Sequence, residues 1–122
     1  MPRRVLLAVS DETRLANLNS LLRNGGFEVR AAFDGQQALD LLRIDNPDLV
    51  VIDYELRDMN GVEVLQRLQV QRGKQPPLPT VMLSAESAAE VHHAAAQLGA
   101  HNATLPYQPT ELLETFRAAI PA

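Results

Sequence analysis

The sequence predicts an α/β fold in which a parallel sheet of five strands is covered by five helices on both faces. Two observations predict it. Short apolar runs alternate along the chain with longer segments whose leucines and alanines recur at helical spacing. The run LVVI at 49–52 is aliphatic and β-branched without polar alternation, which is typical of a strand buried on both faces. Strands that alternate with helices form parallel sheets with right-handed crossovers.

Each element has its own signal in the sequence. Strands are predicted at 4–9, 27–32, 49–53, 80–83 and 103–105, where apolar runs end at polar or turn residues. Helices are predicted at 15–24 before a Gly-Gly turn, at 38–42 before Asn46-Pro47, from Gly61 to the loop at 73–79, at 88–98 before Gly99, and from a cap at Thr110 through Ile120.

Length, charge and composition limit the function. The 122 residues predict one domain, 1–122, with an ordinary hydrophobic core. The absence of cysteine excludes disulfides and thiolate metal sites and favours a cytoplasmic location. No segment has the roughly 20 apolar residues of a membrane span. A net charge of −4 with scattered arginines argues against direct nucleic-acid binding by this domain.

Polar residues follow several of the predicted strands. Ligand clefts of parallel sheets lie at the carboxyl ends of the strands, where the sequence places Ser10, Asp11, Asp53 and Ser84. Two carboxylates and a backbone carbonyl just after Asp53 form the kind of oxygen-rich set that Mg²⁺ accepts. Asp53 would then be a nucleophile toward a phosphoryl group, and Ser84 would hydrogen-bond a phosphoryl oxygen.

A purely structural interpretation of these residues is also open. Asp11 and Glu12 are suited to begin the first helix, where acids favour the positive end of the helix dipole. Ser84 is suited to cap the fourth helix. His92, His93 and His101 are interpreted as surface residues, because neighbouring helical positions point about 100° apart and do not form a metal site together.

Four stretches resemble, in order and spacing, the receiver domain of two-component response regulators: FEVRAAFDGQQALDLL, NPDLVVIDYELRDMNG, PTVMLSA and LGAHNATLPYQPTEL. The resemblance covers nearly the whole chain. It implies a doubly wound, flavodoxin-like (CheY-like) fold of strand order 2-1-3-4-5. It also implies phosphorelay signal transduction with a histidine kinase or phosphotransfer protein as the partner.

The same resemblance implies roles for individual residues. Asp53 matches the phosphoacceptor aspartate, and Asp11 matches the second member of an acidic pair that binds Mg²⁺. Glu55 falls where a backbone carbonyl completes the magnesium site. Ser84 matches the Ser/Thr residue that contacts the phosphoryl group and switches with it.

Three positions depart from the family pattern. Ser10 replaces the first acid of the pair, and Leu105 replaces the lysine that precedes the proline matching Pro106. Ala103 replaces the switch aromatic, and Tyr107, after the proline, is expected to pack. The only lysine of the chain, Lys74, lies in a different loop. Arg57 is the nearest substitute cation in sequence, although an arginine in an acid-rich loop is usually exposed.

These departures lead to a functional hypothesis. The chain is interpreted as an atypical receiver, a pseudo-receiver with impaired or absent Asp53 phosphorylation and a weakened magnesium site, which acts by protein contact. The alternative is a functional phospho-receiver that uses Asp11, Asp53, Ser84 and Arg57 with Mg²⁺. Apart from reactions of the receiver aspartate itself, no enzyme activity is expected. The partner and the oligomeric state are left open.

Overall fold

A computed structural model describes residues 2–85 and 88–121, and its ten elements alternate strictly between strand and helix. The strands are β1 (Arg4–Ala8), β2 (Glu28–Ala32), β3 (Leu49–Asp53), β4 (Thr80–Ala85) and β5 (His101–Leu105). The helices are α1 (Glu12–Asn24), α2 (Gly35–Ile44), α3 (Gly61–Arg72), α4 (Ala89–Gln97) and α5 (Pro109–Ala119). All pairings are parallel and the strand order is β2-β1-β3-β4-β5, which confirms the predicted fold.

The core lies on both faces of this sheet. On one face, α1 and α5 pack Leu18, Leu22, Leu112 and Phe116 against the strands. On the other face, α2, α3 and α4 contribute a second apolar cluster. Since β3 lies in the middle of the sheet, all five of its residues are buried, including Asp53. The unbroken apolar run therefore forms a buried strand, as predicted, and the carboxylate at its end lies in the protein interior.

Polar caps fix where three helices begin at this end of the sheet. The side chains of Asp11, Asp34 and Asn60 accept hydrogen bonds from the first turns of α1, α2 and α3. Asn60 and Glu63 form a reciprocal capping box, which satisfies two backbone donors at once. Asp58 accepts from the amides of Gly35 at 2.7 Å and Gln36 at 2.9 Å, so the loop after β3 is attached to the start of α2.

Some predicted boundaries were wrong. Helix α5 begins at Pro109, with Gln108 before it and no side-chain cap, so Thr110 lies inside the first turn. Proline is suited to the first helical position because its fixed φ is already helical and its missing N–H would be unpaired there. The last strand begins at His101, two residues before the predicted start. None of the helices in the described ranges is long and apolar enough to cross a membrane.

The capping box of α3 gives a stability prediction. We expect Asn60→Ala to lower the free energy of unfolding by about 1 kcal/mol, because the amide of Glu63 loses its acceptor. Asn60→Asp retains a capping oxygen and serves as the matched control. Urea unfolding followed by circular dichroism measures both, and equal stability of the two variants would contradict the capping role.

Candidate functional site

Asp53 is the centre of the polar edge formed by the carboxyl ends of the strands. It is the last residue of β3 and is only 2% exposed. Its Oδ1 atom accepts a hydrogen bond from the backbone N–H of Glu55 at 3.3 Å, and its Oδ2 atom accepts from Nη1 of Arg14. Burial raises the pKa of the Asp53 carboxyl, while the hydrogen bond and charge of Arg14 act in the opposite direction.

Arg14 was missed by the sequence analysis, although it lies close to the predicted cleft in sequence. It belongs to the first turn of α1, and its backbone N–H donates to Oδ1 of Asp11 at 2.8 Å. Asp11 thus caps α1, as the structural interpretation of this residue held. The cap positions the first turn of α1 beside the end of β3, and from there Arg14 reaches Asp53. The signal in the sequence is its position, three residues after the cleft acid Asp11 and hence in the first turn of the helix that follows β1.

Arg57, the predicted substitute cation, does not take this position. Its side chain is exposed, and within 2–85 and 88–121 the ion pair with Asp53 is made by Arg14. What Arg57 contributes is its backbone N–H, which donates to Oγ of Ser10 at 2.9 Å. The reason lies in the sheet: β1 pairs with β3, so the start of α1, which follows β1, lies beside Asp53.

Ser10 occupies the place of the missing acid and forms a structural bridge. Its hydroxyl donates to the carbonyl oxygen of Phe33 at 2.6 Å and accepts from the amide of Arg57. It therefore connects the ends of β1 and β2 with the loop that follows β3. A neutral hydroxyl used in this way adds no negative charge to the site.

Gly61 closes the loop after β3 against its own strand. Its backbone N–H donates to the carbonyl oxygen of Tyr54 at 2.8 Å. A Cβ atom at this position would lie 2.9 Å from both the carbonyl oxygen of Asp53 and Cε of Met82. Only glycine allows this approach of backbone to backbone, and the approach holds Asp53 against the loop.

Ser84 is part of β4 and does not cap α4. It is 2% exposed, and its Oγ lies 2.7 Å from Nε2 of His92. The residue before α4 is Ala88, which makes no side-chain cap. The interpretation of His92 as a surface residue was therefore wrong, because its imidazole turns inward onto Ser84. His93, the next residue, is exposed.

The end of β5 carries no charge toward the site. Leu105 is half-buried, and Ala103 belongs to the apolar core. Tyr107 packs against the same core cluster. The residues at this strand end thus support packing, and the guanidinium of Arg14 is the cation found on Asp53.

Each residue of the predicted Mg²⁺ set has another contact in this structure, and the set itself, two carboxylates and one backbone carbonyl, stays a prediction. Among the described residues, no group of three or more acids or histidines is placed to hold a metal ion. Asp11 uses one oxygen to cap α1, and Asp53 is paired with a guanidinium. Glu55 is exposed, and its backbone N–H donates to Oδ1 of Asp53. A divalent cation beside Asp53 would be repelled by the charge of Arg14.

The ion pair predicts how magnesium affinity responds to substitution. We expect Arg14→Gln to increase the affinity for Mg²⁺ roughly tenfold or more, because one positive charge beside Asp53 is removed. Arg57→Gln removes the same charge from an exposed side chain and is the matched control. Titration calorimetry with MgCl₂ measures both. Equal affinities in the two variants would show that Arg14 does not oppose the metal.

The raised pKa of Asp53 predicts a pH-dependent stability. In the fold the pKa of Asp53 lies above its ordinary value of 3.8. The folded state therefore favours the protonated carboxyl, and this contribution to the free energy of unfolding is lost as the pH rises through the folded pKa. We expect Asp53→Asn to be more stable than the wild type near neutral pH, with the difference shrinking toward about pH 4. Urea midpoints measured across this range test it. A less stable Asn variant at neutral pH would mean that the Arg14 contact outweighs desolvation.

Comparison with known proteins places these features in a family. The model of the response regulator receiver domain matches residues 5–117. A relative from Mycobacterium tuberculosis, called "Probable transcriptional regulatory protein TcrX", is 36% identical over 117 residues. These residues cover 94% of this chain and 49% of TcrX. The DNA-binding response regulator MtrA of Mycolicibacterium smegmatis is 35% identical over 120 residues, which cover 97% of this chain and 51% of MtrA. The chain therefore spans about half the length of these relatives.

Solved structures agree with this assignment. A putative response regulator from Chloroflexus aurantiacus is 28% identical with a TM-score of 0.87, and the match covers 98% of each chain. The receiver domain of the Francisella response regulator 1452 is 26% identical with a TM-score of 0.85, over 96% of this chain and 95% of that one. By sequence, by strand order and by the buried aspartate at the end of β3, the chain belongs to the receiver domain family of two-component response regulators.

Proposed function

We propose that this chain is a receiver domain in which phosphorylation of Asp53 is impaired or absent, and that it signals by contact with another protein. The observation that carries the proposal is the ion pair between Arg14 and the buried carboxylate of Asp53. Receiver domains interact with histidine kinases or phosphotransfer proteins and typically use Mg²⁺ at the phosphorylation site. Transfer of a phosphoryl group from such a partner depends on a free carboxylate and on a nearby site for Mg²⁺.

The ion pair lowers the reactivity of Asp53 in two ways. The charge-assisted hydrogen bond stabilises the unreacted carboxylate and draws electron density from it, which makes it a weaker nucleophile toward phosphorus. The guanidinium of Arg14 also supplies Asp53 with the positive charge that a metal ion would supply in a phosphorylated receiver. Because Ser10 supplies no second negative charge, little remains to draw Mg²⁺ toward the site.

The end of β5 adds a second deficit. Leu105 cannot stabilise the charge that develops on a transferring phosphoryl group, whereas the family lysine can. Loss of one preorganised electrostatic contact typically slows a reaction by about 10²- to 10³-fold. With both the metal and this contact weakened, protein binding that does not depend on phosphorylation is the function that the site supports best.

A slow phospho-receiver is the second candidate function. The partial exposure of Arg14 favours it. The side chain of Arg14 is 34% exposed, so it has room to move from the carboxylate to a phosphoryl oxygen. In that arrangement Asp53 would be the phosphoacceptor, Asp11 and the Glu55 carbonyl would hold Mg²⁺, and Ser84 would donate to the phosphoryl group. Arg14 would then replace Arg57 as the substitute cation.

The partner follows from the family only as a class. A histidine kinase, a phosphotransfer protein or another signalling protein is the proposed partner. MtrA is named as a DNA-binding regulator, and this chain matches about half of it. Absence of direct nucleic-acid binding by the 122 residues stays a prediction from their net charge of −4, and the cytoplasmic location stays a prediction as well.

Intact mass spectrometry after incubation with Mg²⁺ and acetyl phosphate tests the proposal. We expect no phosphoryl adduct on the wild-type chain, because Arg14 holds Asp53 and Leu105 offers no charge. The double variant Arg14→Gln, Leu105→Lys should gain an adduct, since it frees the carboxylate and restores a lysine at the strand end. Adding Asp53→Asn to the double variant should abolish the adduct.

The wild type itself distinguishes the two candidates. An adduct on the wild-type chain that disappears in Asp53→Asn would overturn the first proposal and support the slow phospho-receiver. Circular dichroism of every variant shows whether a missing adduct reflects chemistry or lost folding.

A further inference from the structure

We propose that His92 is a positioning residue that couples the Asp53 site to helix α4 by holding the hydroxyl of Ser84. The contact joins Nε2 of His92 to Oγ of Ser84 at 2.7 Å, across eight residues of sequence. Ser84 is buried at the end of β4, and β4 pairs directly with β3, so that Leu83 lies in register with Asp53. The proposal rests on the receiver fold and does not require that Asp53 is phosphorylated.

His92 is attached to the sheet through its backbone as well. Its carbonyl oxygen accepts a hydrogen bond from Nδ2 of Asn102 on β5 at 2.9 Å. The buried Oδ1 atom of Asn102 finds no partner in the described part of the chain, so the amide makes this bond while its own carbonyl oxygen stays unpaired. The bond from Nδ2 is therefore the polar contact by which the Asn102 side chain attaches β5 to α4. One residue of α4 is thus tied to two strands.

Helix α4 buries few side chains, so its hydrogen bonds to the strands matter more than those of the other helices. Within α4 only Ala95 is fully buried, and Ala88, the described residue before the helix, provides no capping side chain. By contrast, α3 buries Gly61, Val64, Leu65 and Leu68 and begins with a capping box. Elements with few buried apolar contacts open and shift at low free energy. Because Ala103 leaves no aromatic side chain to connect β5 with Ser84, the imidazole of His92 is the group that reaches this hydroxyl.

The hydrogen bond can run in two directions, and the direction decides what Ser84 can do in the site. A serine hydroxyl has one proton and accepts through its lone pairs. If Nε2 of His92 accepts, the proton of Ser84 is used on the α4 side. If Nε2 carries the proton and donates, Ser84 is free to donate to an acceptor near Asp53. The two arrangements form a two-state element that both the site and α4 can bias.

Amide chemical shifts measure this coupling without a phosphoryl group. Asp53→Asn alters the charge of the site, and the response is read at the amides of 89–97 in ¹⁵N-labelled protein. We expect α4 shifts in the wild-type background and in His93→Leu, the exposed neighbour that serves as the matched control. In His92→Leu and in Ser84→Ala the α4 response should be lost. His92→Gln, which retains a hydrogen-bonding group, should restore part of it.

The imidazole itself gives a second measurement. Long-range ¹H–¹⁵N spectra report the tautomer of each histidine, and we expect Ser84→Ala to change the signals of His92 and leave those of His93 unchanged. An undiminished α4 response in His92→Leu, or no α4 response to Asp53→Asn in the wild type, would overturn the proposal. If His92→Leu does not fold, Ser84→Ala and His92→Gln decide it. The mass measurement of Asp53 phosphorylation is independent of both results.

Discussion

The ionic contact between Arg14 and Asp53 is the interaction on which the arrangement of this site depends. The apolar run of β3 places the strand in the middle of the sheet, and its last residue is a carboxylate that is 2% exposed. A buried charge without a partner is strongly unfavourable, so the fold has to supply a cation or keep the group protonated. Arg14 supplies the cation from the first turn of α1, and the cap made by Asp11 fixes where that turn begins.

Around this pair, polar groups and one glycine join the loops at the edge of the sheet. Ser10 connects the end of β2 with the loop after β3, Asp58 connects that loop with the start of α2, and Gly61 brings it against Asp53. Each bond satisfies a backbone group that would be unpaired at a sheet edge. The loops at this edge are therefore attached to one another around Asp53.

The two sides of the sheet edge differ in how firmly they are held. Helices α1, α2 and α3 begin with side-chain caps, and each buries two or more residues. Helix α4 has one fully buried residue and, within residues 88–121, no side chain that caps its start, and its polar attachments to the strands are made at His92. The contact of His92 with Ser84 therefore joins α4 to the strand that pairs with β3, whereas α1, α2 and α3 are held by caps and by more buried side chains.

The sequence by itself determined the alternation of strands and helices along the chain and the burial of β3, because hydrophobic periodicity and turn residues report which backbone is buried. It also placed Asp11, Asp53 and Ser84 at one edge, because all three come at or just after the ends of parallel strands. Only the tertiary structure decided which charged group meets Asp53. Arg57 is near it along the chain, yet Arg14, 39 residues away, makes the contact, since parallel pairing brings the ends of β1 and β3 together. The inward turn of His92 escaped prediction for the same reason. The direction of a long side chain is set by neighbours that the chain brings close only on folding, and local spacing does not encode it.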